Sequence, residues 1–145
     1  MGATVNLKSK LKDKNSPKLK RKAIFKNFLT WFEIPAYNHL RAVAFYNYIY
    51  DIDINSVEIN GMAMGFFPVE SGVGGAIVTG QGCVPGETGP LLYLNGGDDL
   101  NEVLSKVNDA GGRVVMGKTF INDTVGYFAI FIDSEGNRLA LHSKN

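Results

Sequence analysis

The pattern of strand and helix signals in this chain runs through once and then runs through again. Phe28 to Pro35 (FLTWFEIP) is rich in aromatic and β-branched residues and reads as a strand, with Asn38 at an N-cap position just beyond it. Ala42, Phe45, Tyr46, Ile49 and Tyr50 then recur at a spacing that gives a helix one broad apolar face, ending near Asp51. Between Asp53 and Gly80 the apolar runs are short and cut by Gly and Pro, among them Met62 to Val69 and Gly75 to Thr79, which suits a meander of strands and not a helix. Residues 80–90 (GQGCVPGETGP) have the composition of a linker. After it the order begins afresh. Leu91 to Asn95 (LLYLN) is a strand, and Asp98 or Asp99 caps a helix with Leu100, Val103, Leu104 and Val107 as its apolar set. Gly111-Gly112 supplies a left-handed stop, and strands follow at Arg113 to Thr119, Tyr127 to Ile132 and Arg138 to Ser143. Each half reads strand, helix, three strands, a repeat in order rather than in identity. One such unit leaves a sheet face bare, whereas two side by side bury their helices and leave a concave cleft able to enclose a ligand. The predicted class is α+β, two βαβββ modules in one domain (27–145), with module 1 at about 27–80 and module 2 at about 91–145.

A length of 145 residues suits a single domain that buries about two thirds of its unfolded surface. Cys83 is the only cysteine, so no disulfide closes within the chain, and no His/Cys spacing suggests zinc. No run approaches the roughly 18 apolar residues of a membrane span, and the N-terminus lacks the apolar core of a secretory signal, so the expected setting is cytoplasmic, away from membranes. The net charge of +1 conceals a split. Residues 1–26 carry nine basic residues against Asp13 alone, which leaves 6 basic and 13 acidic residues from position 27 onward, a body of about −7. The expectation for 1–26 is a disordered, solvated leader, and nucleic acid is not an expected partner because no aromatic or Arg-rich pattern accompanies the charge.

Three blocks, WFEIPAYNHLRAVAFYNYIYD, GPLLYLNGGDDLNEVLSKVNDAGGRVVMGKT and GYFAIFIDSEGNRLALHS, stand in the order found in the vicinal oxygen chelate superfamily. The chain resembles that superfamily, which includes glyoxalase I, extradiol dioxygenases and the fosfomycin- and bleomycin-resistance proteins, over roughly Phe28 to Ser143. It is similar to the small glyoxalase-related bacterial proteins. The resemblance implies paired βαβββ modules and commonly a homodimer. The metal enzymes of the superfamily hold a divalent ion through four His, Glu or Gln side chains and leave positions open for substrate oxygens. Carried onto this sequence, those ligand positions fall on Trp31, Leu92, Ile132 and the run near Gly75 or Ala76, none of which can coordinate. No metal or other cofactor is therefore expected.

Strand alternation puts Glu33 on the face of Trp31, the cleft face in the superfamily. A carboxylate there would be desolvated and its pKa raised, the condition for a general base; the alternative is a salt bridge to Arg41 or Arg138. Trp31, Leu92, Leu94, Ile130 and Ile132 are assigned the same cleft-facing parity and would line an apolar ligand pocket, with ordinary core packing as the competing reading. His142 could donate to a ligand or act as acid or base, against a satisfied surface histidine. His39, after the N-cap, reads as solvated. Cys83 has no base predictably near it and reads as a linker thiol rather than a nucleophile. Gly72-Val73-Gly74-Gly75 fails as a phosphate loop, since its frame ends at Ile77 and no Lys-Ser/Thr pair follows. The acidic knot Asp133 to Asn137 reads as a hairpin turn.

The expected function is binding of a small organic molecule in the apolar cleft of a homodimer, with metal-independent proton chemistry at Glu33. The alternatives are a binder that only sequesters its ligand, as bleomycin-resistance proteins do, and a metal-dependent lyase or isomerase of glyoxalase I type.

Overall fold

The computed structural model describes residues 21–145, so most of the basic tail predicted for 1–26 lies outside the described residues. β1 (Trp31–Pro35) leads into α1 (His39–Tyr50), followed by β2 (Asn55–Ile59), β3 (Met62–Phe66) and β4 (Gly74–Thr79). The second half consists of β5 (Tyr93–Asn95), α2 (Asn101–Leu104), β6 (Arg113–Asn122), β7 (Gly126–Ile132) and β8 (Arg138–Ser143). Each half makes its own four-stranded sheet, in the orders β1-β4-β3-β2 and β5-β8-β7-β6. The two match pair for pair: the first strand lies parallel to the last, and all other neighbours are antiparallel. The fold is α+β, two βαβββ modules, as the repeat predicts.

Helix α1 forms where its apolar stripe and caps agree. The Asn38 side chain accepts the Arg41 backbone N–H at 3.0 Å, and Asp51 ends the helix in the left-handed region at φ 55°. Ala42, Phe45, Tyr46 and Ile49 are buried along one face. His39 is not free in solvent, because its ring bonds the Thr79 hydroxyl at 3.0 Å and the Ser56 hydroxyl at 2.8 Å, fastening the first turn to β4 and β2. Burial lowers its pKa. The β2–β3 hairpin closes on Asn60-Gly61, both at positive φ (52° and 79°), as a two-residue loop that matches strand twist requires.

The second helix departs from its prediction. Only residues Asn101–Leu104 form α-helix, and the chain continues to Gly111 as tight turns in which Lys106 and Val107 donate to Val103 and Leu104, three residues back. The segment contains Ser105, Asn108 and Asp109, residue types whose side chains compete with the helical backbone. Ser105 Oγ donates to the Glu102 carbonyl, and Asn108 Oδ1 accepts from the Val114 N–H. Leu100, Val103, Leu104 and Val107 are still buried, so the predicted apolar set survives the loss of helix. The two glycines that end the segment differ in kind. Gly111 takes φ 101° in open space, whereas a Cβ on Gly112 would lie 2.5 Å from the Ile132 carbonyl oxygen and 2.7 Å from Phe45. In urea unfolding Gly111→Ala is expected to cost about 1 kcal/mol and Gly112→Ala at least about 2 kcal/mol, since only the second forces backbone apart. Equal losses would show that crowding at Gly112 relaxes freely.

One core serves both modules. Ile34, Phe45, Ile49 and Ile77 from the first half pack in the same cluster as Leu94, Val107, Phe131 and Leu141 from the second. Phe45 stacks on Phe131 with ring centroids 6.2 Å apart and meets Tyr46 edge-on at 4.9 Å.

The acidic turn between β7 and β8 clasps the modules together. Asp133, Glu135 and Asn137 are all buried. Asp133 accepts the backbone N–H groups of Glu135 and Asn137 at 2.9 Å each, the hydroxyl of Tyr46 at 2.6 Å and the side-chain amide of Asn137 at 3.0 Å. Asn137 donates in turn to the Pro35 carbonyl at 2.7 Å. Glu135 accepts the backbone N–H groups of Tyr37 and Asn38 at the foot of α1 (2.9 and 2.8 Å) and a two-pronged bond from Arg41 (2.7 and 3.1 Å). An orphan helix N-terminus in module 1 is thus satisfied by a carboxylate from module 2. Burial works to raise the Glu135 pKa, but Arg41, the Asn38 N–H and the Ser134 hydroxyl outweigh it and hold the carboxyl below its ordinary range. Burial, followed by the Asp133 carboxylate, pushes the Tyr46 phenol well above its ordinary value.

Candidate functional site

Alternation along the strands gives each sheet one face in the common core and one turned away from it. On the first sheet the register places Trp31 and Glu33 of β1 on the outward face, with Ala76 of β4 opposite Glu33 and Phe66 of β3 beyond it. The Trp31 and Phe66 rings lie 6.1 Å apart, and Met64 and Val57 continue the face across β3 and β2. On the second sheet Tyr93, Ala140, Ile130 and Met116 align in one row, with His142 and Phe128 in the next. The Tyr93 and Phe128 rings are 6.2 Å apart. Trp31 is 43% exposed, Tyr93 55% and Met116 42%, so both outward faces present large apolar side chains to solvent.

Glu33 occupies the face predicted for it but not the environment. It is exposed, and its partner is the Trp31 indole, whose Nε1–H donates to the carboxylate at 3.3 Å. The expected desolvation is corrected: among the described residues none covers Glu33, which is exposed on an edge strand. Neither predicted arginine reaches Glu33: Arg41 pairs with Glu135, and the Arg138 Nε is buried with no hydrogen-bond partner among the described residues. Ile130 is half-buried and Ile132 buried, both on the outward side of β7. His142 also faces outward, where its Nε2 bonds the Val125 carbonyl at 2.7 Å and so carries the proton. It borders an open hollow of about 690 Å³ shared with Tyr93, Asn95, Ile121 and Lys144.

Leu92 and Leu94 are corrected. Leu94 pairs with Leu141, sits in the core and is 8% exposed, while Leu92 packs against that core. Tyr93 takes the outward position expected for Leu92. β5 is only three residues long, too short for its own alternation to fix the phase, which the pairing with β8 decides. Tyr93, Phe66, Met64 and Phe128 were missed as outward residues; the alternation in MAMGF held a signal for two of them, but its phase is set only by pairing with β4.

Among the described residues no group of three or more His, Cys, Asp or Glu side chains could hold a metal ion. Of the positions to which the resemblance carries metal ligands, Trp31, Ala76 and Ile132 face outward and Leu92 inward, and none has a side chain that coordinates a divalent ion. Cys83 lies half-exposed in the linker. No helix among the described residues is long and apolar enough to cross a membrane.

No protein-family model and no curated protein matches the chain. Solved structures do. TnmS3, an antibiotic-binding protein from Streptomyces, superposes with a TM-score of 0.60 at 20% identity, over 86% of this chain and 100% of its own. A glyoxalase/bleomycin resistance protein from Albidiferax ferrireducens gives 0.60 at 16% identity, over 79% of this chain and 98% of its own. The chain has the glyoxalase/bleomycin resistance fold. A variant of glyoxalase I from Zea mays reaches a TM-score of 0.61 at 12% identity, but there the 80% of this chain that aligns covers only 44% of the maize protein. The shared feature is the paired βαβββ architecture. In this glyoxalase-fold chain the sheet faces that point away from the core carry mainly apolar side chains, with Glu33 and His142 among them.

Proposed function

We propose that this glyoxalase-fold protein captures a small organic molecule, largely apolar in its body, on its outward sheet faces, and that a second copy closes those faces into a cleft. The carrying observation is the exposed aromatic and methionine surface of both sheets, with Trp31 and Glu33 forming a ready pair of stacking ring and hydrogen-bond acceptor. An apolar surface of this kind is costly to leave in water, and a ligand enclosed by two copies removes the cost. The likeness to a structure described as antibiotic-binding supports capture as the activity. The reading dispenses with a divalent ion, in keeping with the donor set, and the lone Cys83 is in keeping with a cytoplasmic setting.

A second reading, proton chemistry at Glu33, draws on the same contact. A carboxylate shut from water beside a bound carbonyl compound would be placed to take a proton. Titrating Trp31 fluorescence with a panel of aromatic antibiotics that includes bleomycin is expected to give saturable quenching, because Trp31 is the single tryptophan of the chain. Glu33→Gln is expected to lower affinity about three- to tenfold if Glu33 only binds. Abolished turnover of a carbonyl substrate at unchanged affinity would establish the base. One tightly bound nickel, zinc or manganese ion per chain that supports activity would overturn the metal-free reading.

A further inference from the structure

Leu92 and Leu94, displaced from the outward face, line a different space. Where the two modules meet, bordered by residues of both, lies a half-open cavity of about 630 Å³. This is within the range of small-molecule sites. Its walls include Phe32, Tyr50, Ile52 and Phe67 from the first module and Leu92 and Val103 from the second. Phe32 belongs to the inner face of β1, opposite to Trp31, so the cavity meets the outward surface assigned above only along β5, where Tyr93 borders both. The Phe32 and Phe67 rings stand 5.6 Å apart and tilted by 40°, an arrangement that presents ring faces as well as edges. Tyr50 is held in place by donating its hydroxyl to the Asn95 carbonyl at 2.7 Å.

Among the described residues Glu102, exposed on α2 at the rim, is the only charged side chain lining the cavity, and it forms no ion pair. We infer that the inter-module cavity is a second ligand site, selective for a small aromatic cation whose body enters among Phe32, Tyr50 and Phe67 while its ammonium group meets Glu102. The chemistry argues for a cation in two ways. A lone carboxylate beside an apolar hollow attracts positive charge and repels negative, and aromatic ring faces add to the attraction for ammonium groups. β5 forms a wall of both this cavity and the hollow beside His142, since Tyr93, Leu94 and Asn95 border each. Occupancy of the cavity therefore bears on the strand that carries Tyr93.

The test uses three probes that share a naphthylmethyl body, 1-naphthylmethylammonium, 1-naphthalenemethanol and 1-naphthaleneacetate, titrated into the full chain and followed by amide and indole NMR shifts. The ammonium probe is expected to shift Tyr50, Ile52 and Phe67 and to bind at least about tenfold more tightly than the acetate. Glu102→Gln is expected to weaken the ammonium probe about fivefold while leaving the neutral alcohol within about twofold. Val73→Phe, which adds bulk from the β3–β4 loop into the same cavity, is expected to weaken both. Equal binding of ammonium and acetate, indifference to Glu102→Gln, or shifts confined to the Trp31 indole would overturn the inference. The Trp31 indole resonance reports the outward face independently, so the failure of one site is distinguishable from the failure of the other.

Discussion

Asp133→Ala is expected to destabilise the protein by about 3–5 kcal/mol, a fall in Tm on the order of 10 °C in thermal unfolding followed by circular dichroism. The substitution removes one acceptor from four donors and leaves the Tyr46 hydroxyl, which is completely buried, without a partner. It also frees the turn that carries Glu135 to the foot of α1. Tyr46→Phe removes only one donor, and Asp133 keeps its other three bonds, so about 1–2 kcal/mol is expected there. A loss under about 1 kcal/mol for Asp133→Ala would mean that the core alone joins the modules. The pH dependence has a definite sign. Glu135 is held below its ordinary pKa in the folded state, so its contribution is fully present above about pH 4.5 and is lost as the pH falls through the lower folded value. His39, lowered by burial, adds to the loss on the acid side below its ordinary value of 6.5.

Ile130→Lys is expected to abolish ligand capture and self-association while sparing the fold. Ile130 lies half-buried in the middle of the outward face of the second sheet, between Ala140 and Met116. In a single chain a lysine there can carry its ammonium group to solvent along a flexible stem, so Tm should move by no more than a few degrees. Once a ligand or a second copy covers the face, the same charge is desolvated without a partner, at a cost of several kcal/mol or at least about a hundredfold in affinity. Light scattering should then give the monomer mass, and quenching of Trp31 by the antibiotic panel should disappear. A substituted protein that still associates and binds would show that the outward face of the second sheet is not the site.

Helix α1 and its caps were legible because their cause is local: Asn38, the stripe from Ala42 to Ile49 and the stop at Asp51 lie within a few turns of one another. The α2 segment shows the limit of periodicity. Its apolar spacing was read correctly, but spacing reports which residues are buried and not whether the intervening Ser105, Asn108 and Asp109 allow α-helical bonding. Of the candidate site residues, Trp31 and Glu33 share a face because they sit two apart on one strand, a relation that the sequence contains. Leu92 and Leu94 also share a face, but which face depends on a neighbour 47 residues away, Leu141 beside Leu94. The acidic turn was legible as a turn and illegible as a clasp, since its partners Tyr46, Tyr37 and Asn38 are 87 to 98 residues distant.

The sequence by itself determined the duplicated βαβββ order, the apolar stripes and the hairpin turn from Asp133 to Asn137. Those follow from residue type and short-range spacing, which act on the chain before it is folded. Only the tertiary structure decided that Glu33 is exposed within one chain, that Leu92 and Leu94 line the cavity where the modules meet, and that the turn from Asp133 to Asn137 joins the halves. Each of these depends on which surfaces meet when two sheets share one core, and that is fixed by packing between residues that the sequence keeps far apart.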